Sequence, residues 1–291
     1  MTNNSENKFL YYLELSKLKI MIPVSLTGFT GYFIFDPHIS FKIVQLSFGI
    51  LLMAIAASVL NQIQEVELDR KMDRTHNRPI PAGNVSIHHS FIFFLFSLIT
   101  GVFLIYIGGN IKASIIGLIT ILWYNGVYTY SKRITAFAVV PGALTGALPP
   151  LIGWVAAGGE VLDKPIIFLE FLFFTGQIPH FWLLILKYGE EYKNAGIPSL
   201  SSVFSVNQIN RLTYTWVVVS VVAALFLCSF EIIQHTLLII ILLVASAFLI
   251  WQYTDLLNYQ KEKSNLNKYS ILLYSFYLLV LILLISDRII P

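Results

Sequence analysis

Four polar residues recur at every fourth position of one segment: Asn61, Glu65, Asp69 and Asp73. An α-helix has about 3.6 residues per turn, so this spacing predicts a single helix face carrying all four. Like charges at that spacing repel one another unless a cation lies between them. Mg²⁺ suits such a face, because it takes one or two carboxylates and completes its shell with water and phosphate oxygens. The alternative is a solvated, salt-bridged helix end.

Two arginines follow the acidic residues, Arg74 and Arg78. A guanidinium can donate forked hydrogen bonds to the oxygens of a phosphate group. The segment therefore predicts a site for Mg²⁺ together with a phosphate-bearing anion.

The rest of the chain has the composition of a membrane protein. It is 56% hydrophobic and 12% charged, with a mean hydropathy of +0.73, whereas soluble domains have about 25% charged residues. Hydrophobicity that does not alternate predicts helices rather than a β-barrel. We predict one all-α domain, 1–291, that crosses the membrane with nine helices. The expected spans are 18–35, 43–62, 89–107, 111–129, 136–156, 165–186, 211–230, 235–255 and 270–288.

The first 17 residues are too polar for a signal peptide. They predict a short amphipathic helix on the membrane surface, with Phe9, Leu10 and Leu13 among its partly buried residues. No Arg-rich transit peptide is recognisable, which favours a bacterial cytoplasmic (inner) membrane. Cys228 is the one cysteine of the sequence, so disulfides are not expected.

The basic residues predict the orientation. With these spans, 15 of the 19 Lys and Arg residues lie on the side of the N-terminus, among them Lys261, Lys263 and Lys268. Because cytoplasmic loops are enriched in Lys and Arg, this side is expected to be cytoplasmic. Three loops on it contribute a predicted basic ring around a diphosphate: Arg74, Arg78, Lys132, Arg133 and Lys187.

Four stretches of the sequence form recognisable motifs. The first is N-x3-E-x3-D followed by M-D-R-T-x-N-R-P-x-P-x-G. The others are YTYSKRIT (128–135), PGALTGALPPLIGW (141–154) and GQIPHFWLLILKYGEEYKNAGIP (176–198). In this order and spacing they resemble the UbiA superfamily of intramembrane prenyltransferases, and within it the haem O synthases. The resemblance covers roughly residues 15–285. It implies a nine-helix bundle whose central cavity is capped by polar loops on the cytoplasmic side.

The resemblance also implies an activity: transfer of a farnesyl group from farnesyl diphosphate to the vinyl group of haem B, assisted by Mg²⁺. It implies metal ligation by Asn61, Glu65 and Asp69, with Lys132 as a further catalytic residue. Related enzymes carry a second Asp-rich motif where this chain has Glu190 and Glu191, so Glu191 is a further expected metal ligand. The remaining expected substrate-binding residues are Asp73, Arg74, Arg78, Tyr128, Arg133, His180, Lys187, Glu191 and Tyr192. A haem A synthase or an oxidase assembly is the implied recipient of the product.

The chemistry explains why such residues would be needed. When the allylic C–O bond ionises, charge develops on the diphosphate, and cations aimed at it stabilise the departure. Aromatic faces can stabilise the allylic cation, and Tyr124, Tyr128 and Tyr130 lie beside Lys132 and Arg133. The alternative for any one tyrosine is an interfacial aromatic belt.

His180 falls within a predicted span, where ionisable residues often mark function. Seven residues separate it from Lys187, about 10 Å along a helix. At that depth we expect His180 to contact the haem rather than the diphosphate, with a hydrogen bond to a neighbouring helix as the alternative.

Two other functions fit parts of this pattern. An aromatic prenyltransferase of quinone biosynthesis would use the same diphosphate site. A transporter of an anionic lipid or ion would also have carboxylates facing a membrane cavity. The acidic residues are concentrated on one side of the predicted bundle, which favours an enzyme.

Overall fold

The structure is a computed structural model and describes residues 3–230, 232–258 and 266–290. Every regular element in these ranges is helical. A π-helical turn (Trp123–Tyr128) joins the sixth helix to the seventh, and 3-10 turns lie at Leu200–Ser202 and Thr254–Leu257. The helices are α1 (Asn3–Ser16), α2 (Leu18–Phe35), α3 (Phe41–Gln64), α4 (Val66–Asp69), α5 (Ile87–Gly108), α6 (Ile111–Leu122), α7 (Thr129–Ile134), α8 (Val139–Ala156), α9 (Lys164–Asn194), α10 (Val206–Ser229), α11 (Thr236–Tyr253) and α12 (Leu266–Ile289).

Nine helical segments of the described ranges are long and apolar enough to cross a membrane. One of them comprises α6, the π turn and α7, and each overlaps one predicted span. The largest difference is in α9, which continues to Asn194 instead of ending near residue 186. The predicted all-α, multi-pass fold is therefore confirmed.

Successive spans run in opposite directions, so their connections fall at two ends. The charged end carries α1, α4, α7 and the connections 65–86, 135–138 and 195–205. The opposite end carries the connections 36–40, 109–110 and 157–163 and the residues around 232–235. Lys261 and Lys263, which the orientation prediction counted, lie outside the described residues.

Glycines allow α2 and α8 to approach closely. A Cβ on Gly153 would overlap the carbonyl of Gly28, and one on Gly31 would overlap the carbonyl of Pro150. Small residues at such positions let two membrane helices pack backbone against backbone. This contact joins α2 to α8 in the half of the bundle nearer the opposite end.

The predicted N-terminal helix forms as α1, although its placement on a membrane surface stays a prediction. Phe9 and Leu10 are exposed, whereas Leu15 is buried in the core. Between α1 and α2, Lys17 has a left-handed backbone (φ 45°), which is uncommon for residues other than glycine. From α3, Gln62 Nε2 donates to the carbonyl of Leu15 (2.9 Å) and so ties this junction to the bundle.

The predicted continuous helix face is wrong at its far end. α3 ends at Gln64, Glu65 leaves the helical conformation (φ −104°, ψ 9°), and α4 ends at Asp69. Backbone bonds from Glu65 N to Asn61 O (2.9 Å) and from Asp69 N to Glu65 O (2.8 Å) still keep these three residues in helical succession. Asp73 lies beyond α4 and is exposed, because the chain has turned away from the helix by that point.

Candidate active site

Two carboxylates at the charged end are each paired with a cation. Asp69 is buried, and Arg78 Nη1 donates to both of its oxygens (2.8 and 2.7 Å). Glu65 Oε1 lies 2.6 Å from Lys132 Nζ, and both side chains are largely buried. The pairs join the end of α3, α4, the loop after it and α7 in one cluster.

Asn61 joins this cluster from the last turns of α3. Its Nδ2 donates to Thr129 Oγ1 (3.0 Å), and that hydroxyl donates to the carbonyl of Tyr124 (2.9 Å). The amide oxygen of Asn61 accepts no hydrogen bond from the described residues. It is therefore available to a cation or to a donor on a ligand.

Aromatic rings lie beside the carboxylates. The Tyr124 and Tyr128 ring centroids are 5.4 Å apart, and Phe181 of α9 meets Tyr128 edge-on at 6.3 Å. Lys132 Nζ lies 4.9 Å from the Tyr128 centroid. Tyr130 lies elsewhere, exposed beneath the guanidinium of Arg133.

The end of α9 borders the same region. Glu191 Oε2 accepts from the backbone N–H of Arg74 (3.3 Å). Arg74 and Lys187 both lie over the ring of Tyr188, at 4.9 and 5.0 Å. Tyr192 is close enough to Arg74 and Glu65 to interact with them electrostatically.

The predicted basic ring therefore divides into groups. Arg78 and Lys132 contact the carboxylates, and Arg74 and Lys187 share Tyr188. Lys187 also donates to Asn267 Oδ1 of α12 (2.8 Å). Arg133 is exposed and donates to the carbonyl of Gln64 (2.6 Å). Its contact is thus with the last residue of α3 rather than with the acids themselves.

Lys17 also belongs to the electrostatic surroundings of this site. Burial, followed by repulsion from Arg78, lowers the pKa of Lys17 to about 7, although Asp69 and Glu65 act in the opposite direction. The sequence offered no local sign of this role, because Lys17 was one basic residue among several near the N-terminus. Its position results from the left-handed turn between α1 and α2.

His180 is hydrogen-bonded to a neighbouring helix. Its Nδ1 lies 2.5 Å from the hydroxyl of Tyr274 on α12, and Tyr274 is half exposed. This contact leaves the other ring nitrogen, Nε2, for a ligand. Tyr274 and Tyr188 were not predicted as site residues, since nothing in their local sequence distinguishes them from other interfacial tyrosines.

The donor set suits Mg²⁺ better than a metal held by protein alone. No group of three His, Cys, Asp or Glu residues within the described part of the chain could hold a metal ion. Mg²⁺ needs only one or two carboxylates when phosphate and water complete its shell. Glu65 and Asp69, with the amide oxygen of Asn61, meet that requirement.

Residues 24–282 match the UbiA prenyltransferase family. The chain belongs to the UbiA prenyltransferase family. It is 34% identical over 223 residues to a protoheme IX farnesyltransferase of Oleidesulfovibrio alaskensis, covering 77% of this chain and 79% of the relative. It is 31% identical over 245 residues to that of Legionella pneumophila, covering 83% of each chain.

Solved structures show the same fold over nearly the whole chain. A digeranylgeranylglyceryl phosphate synthase superposes with a TM-score of 0.76 at 24% identity, covering 97% of this chain and 99% of that one. A UbiA homologue of Archaeoglobus fulgidus, bound to DMAPP and Mg²⁺, superposes with a TM-score of 0.72 at 18% identity, covering 96% and 97%.

These findings confirm the family resemblance seen in the sequence. They also decide between the two classes of function, because the family consists of prenyltransferases. The chain is a prenyltransferase enzyme, and the transporter alternative is set aside.

Proposed function

We propose that this prenyltransferase transfers a farnesyl group from farnesyl diphosphate to the vinyl group of haem B. The acceptor comes from the relatives, which carry the name protoheme IX farnesyltransferase at 31–34% identity over most of the chain. The donor class agrees with the Archaeoglobus fulgidus homologue, whose structures hold DMAPP or GPP together with Mg²⁺.

One observation carries the proposal: two carboxylate–cation pairs lie beside two neighbouring tyrosine rings at the end of an apolar bundle. A prenyl diphosphate has a matching division, since its head is strongly anionic and its tail is apolar. The head would lie among Arg78, Lys132 and Lys17, because burying its charge deeper in the membrane is costly. The tail would extend between the spans.

Departure of the diphosphate is the first chemical step. The C1–O bond breaks, and its electron pair stays on the diphosphate oxygen. Asn61, Glu65 and Asp69 would hold Mg²⁺, which would supply positive charge to the leaving diphosphate. Arg78 and Lys132 donate hydrogen bonds to it, and the faces of Tyr124 and Tyr128 stabilise the allylic cation.

The acceptor then forms the new carbon–carbon bond. The π pair of the haem vinyl group attacks C1, leaving a cation on the vinyl carbon next to the ring. Water adds there and loses one proton to solvent, which gives the hydroxyethylfarnesyl side chain of haem O. His180 contacts the acceptor through Nε2, which stays available while Nδ1 bonds to Tyr274.

The remaining substrate contacts follow from the same arrangement. Arg74, Lys187, Glu191 and Tyr192 border the diphosphate from α9 and the loop after α4. Arg133 and Asp73 lie at its rim. The charged end faces the cytoplasm of a bacterial inner membrane, with the N-terminus on that side, as the distribution of Lys and Arg indicates.

The deciding experiment compares two acceptors. The purified protein in detergent or nanodiscs is incubated with farnesyl diphosphate, Mg²⁺ and either haem B or 4-hydroxybenzoate, and the products are identified by mass spectrometry. We expect haem O from haem B and no prenylated benzoate. Prenylation of the benzoate alone would assign the chain to the aromatic prenyltransferases, and Asp69→Asn controls for background product.

A further inference from the structure

The fourth span contains a π turn that carries Tyr124 and Tyr128 and is followed directly by α7, which carries Lys132. Trp123–Tyr128 is π-helical between α6 and α7. Such turns are rare in proteins and are frequent at functional sites. Relative to a continuous α-helix, a π turn adds one residue, which rotates every later side chain by about 100° around the helix axis. The turn therefore sets the direction in which Tyr128 and Lys132 point.

Two amide side chains hold this turn against α3. Gln64 Nε2 donates to the backbone carbonyl of Asn125 (3.1 Å), and Asn125 Nδ2 donates back to Gln64 Oε1 (3.1 Å). Asn125 Nδ2 also donates to the carbonyl of Ala57 (3.1 Å). The two oxygens that accept hydrogen bonds from Asn125 both face its Nδ2, so these partners determine the orientation of the amide group.

Of the two amides, Asn125 is buried and Gln64 is partly buried, and their contact is specific to the turn. Asn125 is 3% exposed, so its hydrogen bonds cannot be replaced by solvent without opening the helix contact. The carbonyl that Gln64 bonds belongs to the π turn itself, where the widened helix needs partners outside the usual pattern. Because Gln64 directly precedes Glu65, the pair joins the π turn to the acidic segment.

The geometry on both sides of the pair leads into the site. Directly after α3, Glu65 follows Gln64 and lies 2.6 Å from Lys132 Nζ. On the other helix, Tyr128 comes three residues after Asn125 and lies below the same lysine. One reciprocal contact thus sets both halves of the Glu65–Lys132–Tyr128 cluster.

We infer that Gln64 and Asn125 are positioning residues for departure of the diphosphate. They act through Lys132 and Tyr128, which they hold at the orientation that faces Glu65, and they touch no substrate. This inference rests on the proposed function, because it assigns the cluster to ionisation of the prenyl diphosphate.

The test measures kcat and KM for farnesyl diphosphate in Gln64→Leu and Asn125→Leu. A small misplacement of catalytic groups can cost on the order of 10- to 100-fold in rate. We therefore expect kcat to fall at least about tenfold, while KM stays within roughly threefold, the signature of a contribution made mainly in the transition state. Full kcat in both variants would overturn the inference.

A length exchange supplies the rescue. Gln64→Asn shortens one side chain and Asn125→Gln lengthens the other, so the double variant can restore the bond between the two side chains, although not the bond from residue 64 to the backbone carbonyl. We expect kcat of the double variant to exceed that of either single exchange. If the fold-loss of kcat in the double variant equals the product of the losses in the two single variants, the two amides do not act together.

Asn110→Ala is the matched control. Asn110 Nδ2 donates to the carbonyl of Val155 (2.6 Å) at the opposite end of the same span, so its loss weakens a similar amide tie away from the site. Its thermal stability is expected to fall without a change in kcat. If kcat falls equally in this variant, the amide pair is structural and the inference is wrong.

Hydrogen exchange separates this inference from the proposed function. A wild-type protein that does not farnesylate haem B would overturn the proposed function alone. In that case the positioning role is tested by the rate of backbone amide hydrogen exchange in residues 120–134, compared between wild type and the variants. Faster exchange in Gln64→Leu than in wild type and Asn110→Ala supports the positioning of the π turn by this pair. Unchanged exchange overturns it.

Discussion

Asp69 and Asp287 are both buried carboxylates, 1% and 5% exposed, at opposite ends of the bundle. Asp69 accepts two hydrogen bonds from the side chain of Arg78. Asp287 accepts from the backbone N–H groups of Gln234 and His235 (2.9 and 3.0 Å) and from His235 Nδ1 (2.9 Å).

This difference is the reason to expect a functional role for Asp69 and a structural role for Asp287. Backbone N–H groups before α11 are fixed donors, and a carboxylate there also complements the helix dipole. A guanidinium on a side chain can turn from a carboxylate to a phosphate. Asp163 lies at the same end of the bundle as Asp287 and is also held by fixed donors. It accepts hydrogen bonds from Trp154 Nε1 (3.0 Å) and from the backbone N–H of Glu160 (2.8 Å).

Asp69→Asn is expected to have the largest effect on turnover. It keeps the shape of the side chain but removes the charge that would bind Mg²⁺ and Arg78. Turnover should fall far more than tenfold, beyond about 1.4 kcal/mol in the barrier, with normal membrane insertion and folding. Glu65→Gln should behave alike. More than about a tenth of wild-type turnover in both would remove these acids from the metal site.

Arg78→Lys should follow, with turnover reduced by roughly tenfold because a point charge replaces a forked donor. The measurement is steady-state turnover together with the affinity for farnesyl diphosphate. Arg70→Lys is the matched control, since Arg70 pairs only with the exposed Glu67 (2.6 Å) in the described structure. Equal behaviour of the two variants would contradict a role of Arg78 at the diphosphate.

His180→Ala is expected to weaken haem binding several-fold while leaving the affinity for farnesyl diphosphate near normal. The haem absorption spectrum should also shift if His180 ligates the iron. Tyr274→Phe serves as the comparison, because it removes the hydrogen bond to Nδ1 and keeps the imidazole. Unchanged haem affinity and spectrum in His180→Ala would make this histidine a structural residue.

Lys17 should have a smaller effect, seen as pH-dependent proton uptake when the diphosphate binds. Its pKa of about 7, lowered from 10.5, leaves it largely neutral at pH 8, and a bound diphosphate would raise that pKa. Binding at pH 8 should therefore take up part of a proton, and less at pH 6, where Lys17 is already charged. Calorimetry in buffers of different ionisation enthalpy measures this uptake. Lys17→Met should take up fewer protons at pH 8, and an identical uptake would exclude Lys17 from the diphosphate site.

The lowered pKa of Lys17 also makes the free energy of unfolding depend on pH. The unfolded chain keeps Lys17 protonated up to its ordinary pKa, whereas the folded protein releases that proton near pH 7. The folded state thus binds fewer protons between these values, so the contribution of Lys17 to stability rises with pH there.

Asp287→Ala is expected to leave turnover unchanged and to destabilise the fold. Loss of hydrogen bonds to a buried charged group costs about 1 to 3 kcal/mol, measured as a lower unfolding temperature. Glu67→Ala, which breaks an exposed ion pair, should cost less than about 1 kcal/mol. Reduced turnover in Asp287→Ala at temperatures where it stays folded would contradict the contrast between the two ends.

Much of the site could be predicted because its residues lie in short, recognisable stretches. Glu65 and Asp69 are predicted by polar residues at every fourth position, and Lys132 by the family resemblance that the stretch YTYSKRIT carries. The failure at Asp73 has a local cause, since a repeat of four says nothing about where the helix ends.

The sequence by itself determined the nine spans, the concentration of charge at one end and the family. Hydrophobicity is a local property summed over each segment, so it needs no knowledge of neighbouring helices. Only the tertiary structure decided which cation meets which acid, that Lys17 reaches the site and that Gln64 holds Asn125. These contacts depend on helix rotation, set here by a π turn and a left-handed junction, and they join residues far apart in the chain. A periodic pattern does not determine such rotations, because they result from the packing of the whole bundle.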